Sequence, residues 1–178
     1  MIPALAQTDL ESGRKKAEVC TGCHGVDGNS IDPLYPILAG QTQRYTYLQL
    51  KDYKEGRRKD SVMSPLAELM SREDMLDLGE FFAAQKPTPL AFRADATRVE
   101  AGRMKAAETL CTMCHLGGFS GQNEIPRVAG QHPQYIAKQL KDFKARIRTN
   151  DAGTMISVSN TLSDEDIENL AHYIANLD

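Results

Sequence analysis

Cys20-Thr21-Gly22-Cys23-His24 and Cys111-Thr112-Met113-Cys114-His115 hold all four cysteines of the chain. The pattern Cys-x-x-Cys-His reads as a site of covalent c-type haem attachment: the two sulfurs bond the porphyrin vinyl groups, and the adjacent histidine takes one axial position on the iron. Paired cysteines also build zinc sites and thioredoxin-like redox pairs. A four-cysteine zinc site brings its pairs within about 15 to 20 residues, whereas 87 residues separate these. The redox motif calls for a βαβ context, and no strand pattern surrounds either pair. Two motifs with the same histidine imply two haems.

The sequence around the motifs repeats with them. Gly13 matches Gly102, Cys20 matches Cys111, and Pro36-Ile37-Leu38-Ala39-Gly40-Gln41 matches Pro126-Arg127-Val128-Ala129-Gly130-Gln131. Gln49-Leu50-Lys51-Asp52-Tyr53-Lys54 matches Gln139-Leu140-Lys141-Asp142-Phe143-Lys144, Met63 matches Met155, and Ser71 matches Ser163. The offset drifts only between 89 and 92, which confines insertions to loops and makes the chain a tandem duplication. The boundaries read as an N-terminal domain over 1–86, a linker over 87–98 and a C-terminal domain over 99–178. Pro87 and Pro89 stop the preceding helix and begin a semi-extended connection.

Each half has a size at which an unaided hydrophobic core is marginal. There is no Trp, and aromatic residues make up only 6% of the chain; a tethered macrocycle would supply the missing apolar volume. The secondary structure reads as helical throughout. A first helix leads into each motif, over about Leu10 to Val19 and Val99 to Leu110. A middle helix begins near Gln43 and near Pro133, a proline suited to a first turn. A last helix follows each capping box, Ser71-Arg72-Glu73-Asp74 and Ser163-Asp164-Glu165-Asp166, with Leu76, Phe81 and Phe82, then Ile167, Leu170, Tyr173 and Ile174, at helical spacing.

His24 and His115 offer the proximal nitrogen, and the other ring nitrogen of each needs an acceptor to fix its orientation. Pro36 lies twelve residues after His24 and Pro126 eleven after His115, placing a carbonyl in reach of each ring. The sixth ligand must come from later in each half. Met63 and Met155 are the methionines that match between halves, 39 and 40 residues after their histidines. Met70 and Met75 are rival thioethers in the first half. His132 and His172 have no histidine counterparts and read as surface residues. Histidine–methionine ligation raises the reduction potential relative to two histidines and leaves no open site for oxygen, peroxide or substrate, which argues for electron transfer and against catalysis.

With these residues in place the chain resembles the dihaem cytochrome c4 family over nearly its whole length. The resemblance rests on Val19-Cys20-Thr21-Gly22-Cys23-His24-Gly25-Val26-Asp27-Gly28-Asn29-Ser30, Leu38-Ala39-Gly40-Gln41, Ala129-Gly130-Gln131-His132, Arg148-Thr149-Asn150-Asp151 ahead of Thr154-Met155, and Leu162-Ser163-Asp164-Glu165-Asp166-Ile167. It implies an all-α fold of two tandem cytochrome c domains, each wrapped around a covalent haem and related by a pseudo-twofold axis, with haem propionates facing each other near the interface. Arg44, Tyr45 and Tyr135 resemble family positions near that interface. The segment before Cys111 and the loop Leu116-Gly117-Gly118-Phe119-Ser120-Gly121 are less typical.

The formal charge of −3 is evenly spread, with 11 basic and 13 acidic groups over 1–90 and 10 and 11 over 91–178. No basic stripe points to nucleic acid, and no run approaches the roughly 18 apolar residues of a membrane span. The cluster Lys54, Arg57, Arg58 and Lys59 reads as a solvated helix end. Ala4-Leu5-Ala6 before Gln7 resembles the small-residue end of an export signal. The expected role is a periplasmic carrier of single electrons between redox proteins, such as a respiratory complex or dehydrogenase and a terminal oxidase, peripheral to a membrane at most. The alternative is an electron-accepting subunit or dedicated partner of a periplasmic dehydrogenase acting on a sulfur compound or an alcohol. A dihaem peroxidase is disfavoured, since it needs a displaceable ligand.

Overall fold

A computed structural model of the chain describes residues 9–178; the Ala4-Leu5-Ala6 segment lies outside them. The described residues form helices and loops, with a single isolated bridge between Gln122 and Ile125. The first half contains α1 (Leu10–Lys16), α2 (Thr21–His24), α3 (Gln43–Lys54), α4 (Met63–Glu68) and α5 (Arg72–Ala84). The second contains α6 (Ala96–Glu108), α7 (Cys111–His115), α8 (Pro133–Lys144), α9 (Thr154–Asn160) and α10 (Asp164–Ala175).

Local chemistry sets the ends of these helices. Asp9 caps α1 by accepting from the Glu11 and Ser12 amides, and Asp95 caps α6 by accepting from Arg98 N, so α6 begins at Ala96 rather than near Val99. After Lys16 the chain tightens into a 3₁₀ turn, Ala17–Cys20, that delivers Cys20 to α2. Both capping boxes form: Ser71 and Asp74 exchange hydrogen bonds at the start of α5, as do Ser163 and Asp166 at the start of α10.

The first and last helices of each half pack closely, α1 on α5 and α6 on α10. Glycine makes the contact possible. A Cβ on Gly13 would lie 2.2 Å from Asp77 O, and one on Gly102 would lie 2.1 Å from Asn169 O. Two separate cores result, one around Ala17, Tyr47, Leu50, Met75, Leu78, Phe81 and Phe82 and the other around Ala106, Phe119, Ile136, Leu140, Ile167 and Leu170. The connection between the halves is tied to both. Asn29 donates to Lys86 O and accepts from Thr88 N at 3.0 and 2.8 Å, while Leu90 and Phe92 pack against the second core.

Candidate haem sites and the surface between them

The short helices α2 and α7 present each motif at the edge of its core. Cys20 and Met63 both pack against the first cluster, and Cys111 and Met155 both pack against the second. None of the four cysteines is joined in a disulfide. Burial, reinforced by Cys23, pushes the Cys20 thiol up; burial also pushes Cys111 up, against a hydrogen bond from Thr109.

Each histidine is held by a proline carbonyl. His24 Nδ1 lies 2.9 Å from Pro36 O, and His115 Nδ1 lies 2.9 Å from Pro126 O. A carbonyl only accepts, so Nδ1 carries the proton and Nε2 keeps its lone pair for a metal. Burial lowers the pKa of both rings, opposed in part by these hydrogen bonds, which favours the neutral form that ligation needs. Cysteines outside any disulfide at vinyl-bonding spacing, beside a neutral imidazole with one nitrogen held, are the donor set a covalently attached haem requires.

Met63 opens α4, and Met155 is the second residue of α9. Asp60 accepts from the amides of Val62 and Met63, both at 2.9 Å, and so fixes the first turn of α4. Asp151 accepts from Gly153 N at 3.2 Å and Ile156 N at 3.0 Å around Met155. Of the rival thioethers, Met75 is buried within the first core on α5, where it fills volume, and Met70 packs at its edge.

Between the halves the duplication becomes a reciprocal interface. Gln41 donates to Arg127 O and accepts from Arg127 N, both at 2.9 Å. Gln131 does the same to Ile37, at 3.0 and 2.8 Å. Each repeated Ala-Gly-Gln thus clamps the loop that follows the other half's haem-binding motif. A second reciprocal set lies beside it. Arg58 donates to Tyr135 Oη at 2.9 Å and Gln139 at 3.0 Å, and Arg148 donates to Tyr45 Oη at 3.0 Å and Gln49 at 2.9 Å. Each guanidinium also lies over an aromatic ring of its own half, Arg58 over Tyr53 at 4.7 Å and Arg148 over Phe143 at 4.5 Å.

Four sequence expectations are revised here. Arg58 is buried rather than part of a solvated helix end, because the turn after α3 folds it back between the halves. His132 is buried rather than superficial: its Nε2 lies 2.9 Å from Ser30 O and 3.0 Å from Ser30 Oγ across the interface. His172 is half-buried, accepting from Asp95 N at 3.1 Å and meeting the Phe92 ring edge-on. Arg44 is exposed over Tyr47 of its own helix, and the guanidiniums that cross between the halves are Arg58 and Arg148. A signal for both was available, since they stand at the repeat offset of 90.

Comparison with known proteins agrees with this arrangement. The family model described as "Cytochrome c" matches residues 10–83 and again 99–178. Cytochrome c4 of Azotobacter vinelandii is 39% identical, with 98% of this chain and 91% of that one covered. The crystal structure of reduced recombinant cytochrome c4 from Pseudomonas stutzeri gives a TM-score of 0.89 at 38% identity, covering 97% of this chain and 100% of that one. A thiosulfate dehydrogenase electron acceptor of Stutzerimonas stutzeri is 29% identical, over 90% of this chain and 80% of that one.

Proposed function

The chain belongs to the dihaem cytochrome c4 family, and from that premise we propose that it is a periplasmic carrier of single electrons between redox proteins, with no catalytic role of its own. The observation that carries this reading is the pair of equivalent sites, each with a Cys-x-x-Cys pair outside any disulfide and a histidine whose Nδ1 is held by a proline carbonyl. Bound haem supplies a one-electron Fe(III)/Fe(II) couple at each site. Cys20 and Cys23 tether one haem, and Cys111 and Cys114 the other. His24 and His115 would present Nε2 to the irons, and Met63 and Met155 would supply a soft, neutral sulfur that favours the reduced state. With both axial positions taken by these side chains a bound haem would offer no place for a substrate, and electrons would leave through contact with a partner.

The domain limits read from the sequence, 1–86 and 99–178 on either side of a linker, fit this reading once the second is extended to Ala96, where α6 begins. The reciprocal clamps of Gln41 and Gln131 support two haems held at a fixed separation, and Tyr45 and Tyr135 are bonded across the surface between the halves. Among the described residues no helix is long and apolar enough to cross a membrane, which fits a partner that meets membrane oxidases from outside the bilayer. A second reading, acceptor for a periplasmic sulfur-compound dehydrogenase, is favoured by the thiosulfate dehydrogenase electron acceptor among the relatives.

The test is intact mass followed by redox titration of the holoprotein. Two covalent haems and two one-electron waves are expected, together with no turnover of peroxide. One haem, or rapid peroxide reduction, would overturn the reading.

A further inference from the structure

The loops that leave the two haem-binding motifs differ at one informative position. Gly28 O accepts from Leu38 N at 2.7 Å and Ala39 N at 3.1 Å; Phe119 O accepts from Val128 N at 3.0 Å and Ala129 N at 3.2 Å. The two residues therefore hold the same place in the repeat. Both backbones are left-handed, with φ 81° at Gly28 and 56° at Phe119. Glycine adopts that conformation freely, whereas a bulky side chain is strained by it. Such strain persists only where its surroundings over-determine it.

The ring has room because the core around it is rearranged. A Cβ at Gly28 would come within 2.8 Å of Phe82 Cδ1. At the offset set by Ser71 and Ser163, the counterpart of Phe82 is Ile174, so in the second half the aromatic ring has moved from the last helix to the loop. Phe119 is 1% exposed. Its ring stacks on His115, with centroids 6.2 Å apart and planes 24° apart, and meets Tyr173 edge-on at 5.8 Å. The aromatic neighbour of His24 is instead Tyr35, from further along its loop, and that contact is edge-on at 6.1 Å.

We propose that Phe119 is a positioning residue for His115, whose ring fixes the imidazole plane and shields the Nδ1 to Pro126 hydrogen bond, making the second haem electronically distinct from the first. The proposal rests on His115 being the axial ligand. An imidazole held by one hydrogen bond can still swing about it, and a stacked ring blocks that swing. The plane of the imidazole governs the splitting of the iron d orbitals, and the dryness of its surroundings disfavours the more positive, oxidised iron. Without the ring, water reaches the Nδ1 side and the oxidised state gains.

The experiment compares wild-type holoprotein with Phe119→Gly, Phe119→Leu and Phe119→Tyr by redox titration and by proton NMR of the haem methyls in the oxidised state. Phe119→Gly and Phe119→Leu should move one methyl set only, the set that Tyr35→Leu leaves in place. They should lower the electron affinity of that haem about tenfold, which is about 59 mV for one electron. Phe119→Tyr should restore the wild-type pattern. Folded Phe119→Leu with unchanged methyl shifts and potentials would overturn the proposal. So would loss of the second haem from both Phe119→Gly and Phe119→Leu, since the ring would then be holding the loop rather than the imidazole. A wild-type spectrum with only one low-spin set would sink the ligation reading, and this proposal with it.

Discussion

Arg58 reaches across the molecule to donate to the phenol of Tyr135 at 2.9 Å, and Arg148 returns the contact to Tyr45 at 3.0 Å. Neither hydrogen bond joins residues of one half, so the pair records how two copies of one sequence came to share a surface. Burial alone would raise the Tyr45 pKa, but the Arg148 and Arg58 charges outweigh it and bring the phenol below its ordinary value. Replacing Arg58 with Met strips donors from Gln49, Tyr135 and Gln139 together. The expected cost is about 1–3 kcal/mol, read as a lower urea midpoint. Arg58→Met and Arg148→Met should also combine non-additively, because they share Gln49 and Gln139. An unchanged midpoint in both single variants would show that the network does not stabilise the interface.

The glycine crossing gives a second expectation. Gly102→Ala would drive its Cβ against the Asn169 carbonyl of α10, a contact of 2.1 Å that only backbone movement relieves. Overpacking of this kind costs about 1–3 kcal/mol. Gly22→Ala is the control, since a Cβ there meets nothing within 4 Å. Thermal melts should place the first well below the second. Equal melting temperatures would mean that α6 and α10 can separate at no cost.

Much of this was legible because duplication doubles every local signal. Ser71 and Ser163 announced the last helices through their capping boxes, Pro133 announced α8, and the spacing from each histidine brought Pro36 and Pro126 into view. What stayed hidden depends on contacts between the halves. Arg58 stands in a run of charges that looks solvated, and nothing local says that Tyr135 and Gln139 will cover it. His132 breaks the repeat, with Thr42 as its counterpart, and a residue that breaks a repeat looks dispensable until Ser30 is found opposite. Thr42 also crosses between the halves, donating to Asn123 O at 2.5 Å. Phe119 was visible only as an unusual loop, because the exchange of ring positions with Phe82 needs the packing to be seen.

Acid should loosen the first half at the start of α5. The Lys16 ammonium, then the Ser71 hydroxyl, lower Asp74 to about 2; Asp77 is also lowered, its burial outweighed by Lys16, Ser12 and Asp9. A carboxylate depressed in the folded state stabilises above its unfolded pKa, and that contribution is lost as pH falls from about 4 toward 2. Lys16 is raised by the same partners, so its share is complete below its ordinary pKa and lost at higher alkaline pH. The Lys16 to Asp74 pair is a third exposed, which limits its worth to about 1 kcal/mol. Lys16→Met should therefore flatten the acid limb of the stability curve. A variant with the same limb as the wild type would remove Lys16 from the account.

Met155 is expected to ligate the second iron, so the oxidised holoprotein should carry a far-red sulfur-to-iron charge-transfer band from each haem. Met155→His should remove the band of one haem and lower its potential, since imidazole favours the oxidised iron more than a thioether does. In the first half Met63→Leu should abolish the band while Met70→Leu keeps it. Reversal of that pair would transfer the ligand role to Met70, which packs on the same cluster.

The clamps predict how the haems affect one another. Gln41 and Gln131 hold each half against the loop of the other through paired hydrogen bonds of 2.8–3.0 Å. If the haems sit at a fixed short distance, oxidising one adds positive charge beside the other and makes the second oxidation harder, by the same free energy in either order. A coupling of about 1 kcal/mol would appear as roughly 40 mV in a one-electron couple. Two different potentials in the wild type do not establish this, because Phe119 on one side and Tyr35 on the other already make the sites unequal. The informative comparison is Gln41→Leu with Gln131→Leu, which loosens the clamps while leaving both haem-binding motifs in place. The interval between the potentials should change toward the intrinsic difference of the sites and lose its dependence on ionic strength, since a longer separation is screened within about 10 Å at 0.1 M salt. An interval identical to the wild type at every salt concentration, in a variant that still binds both haems, would mean that each iron titrates independently.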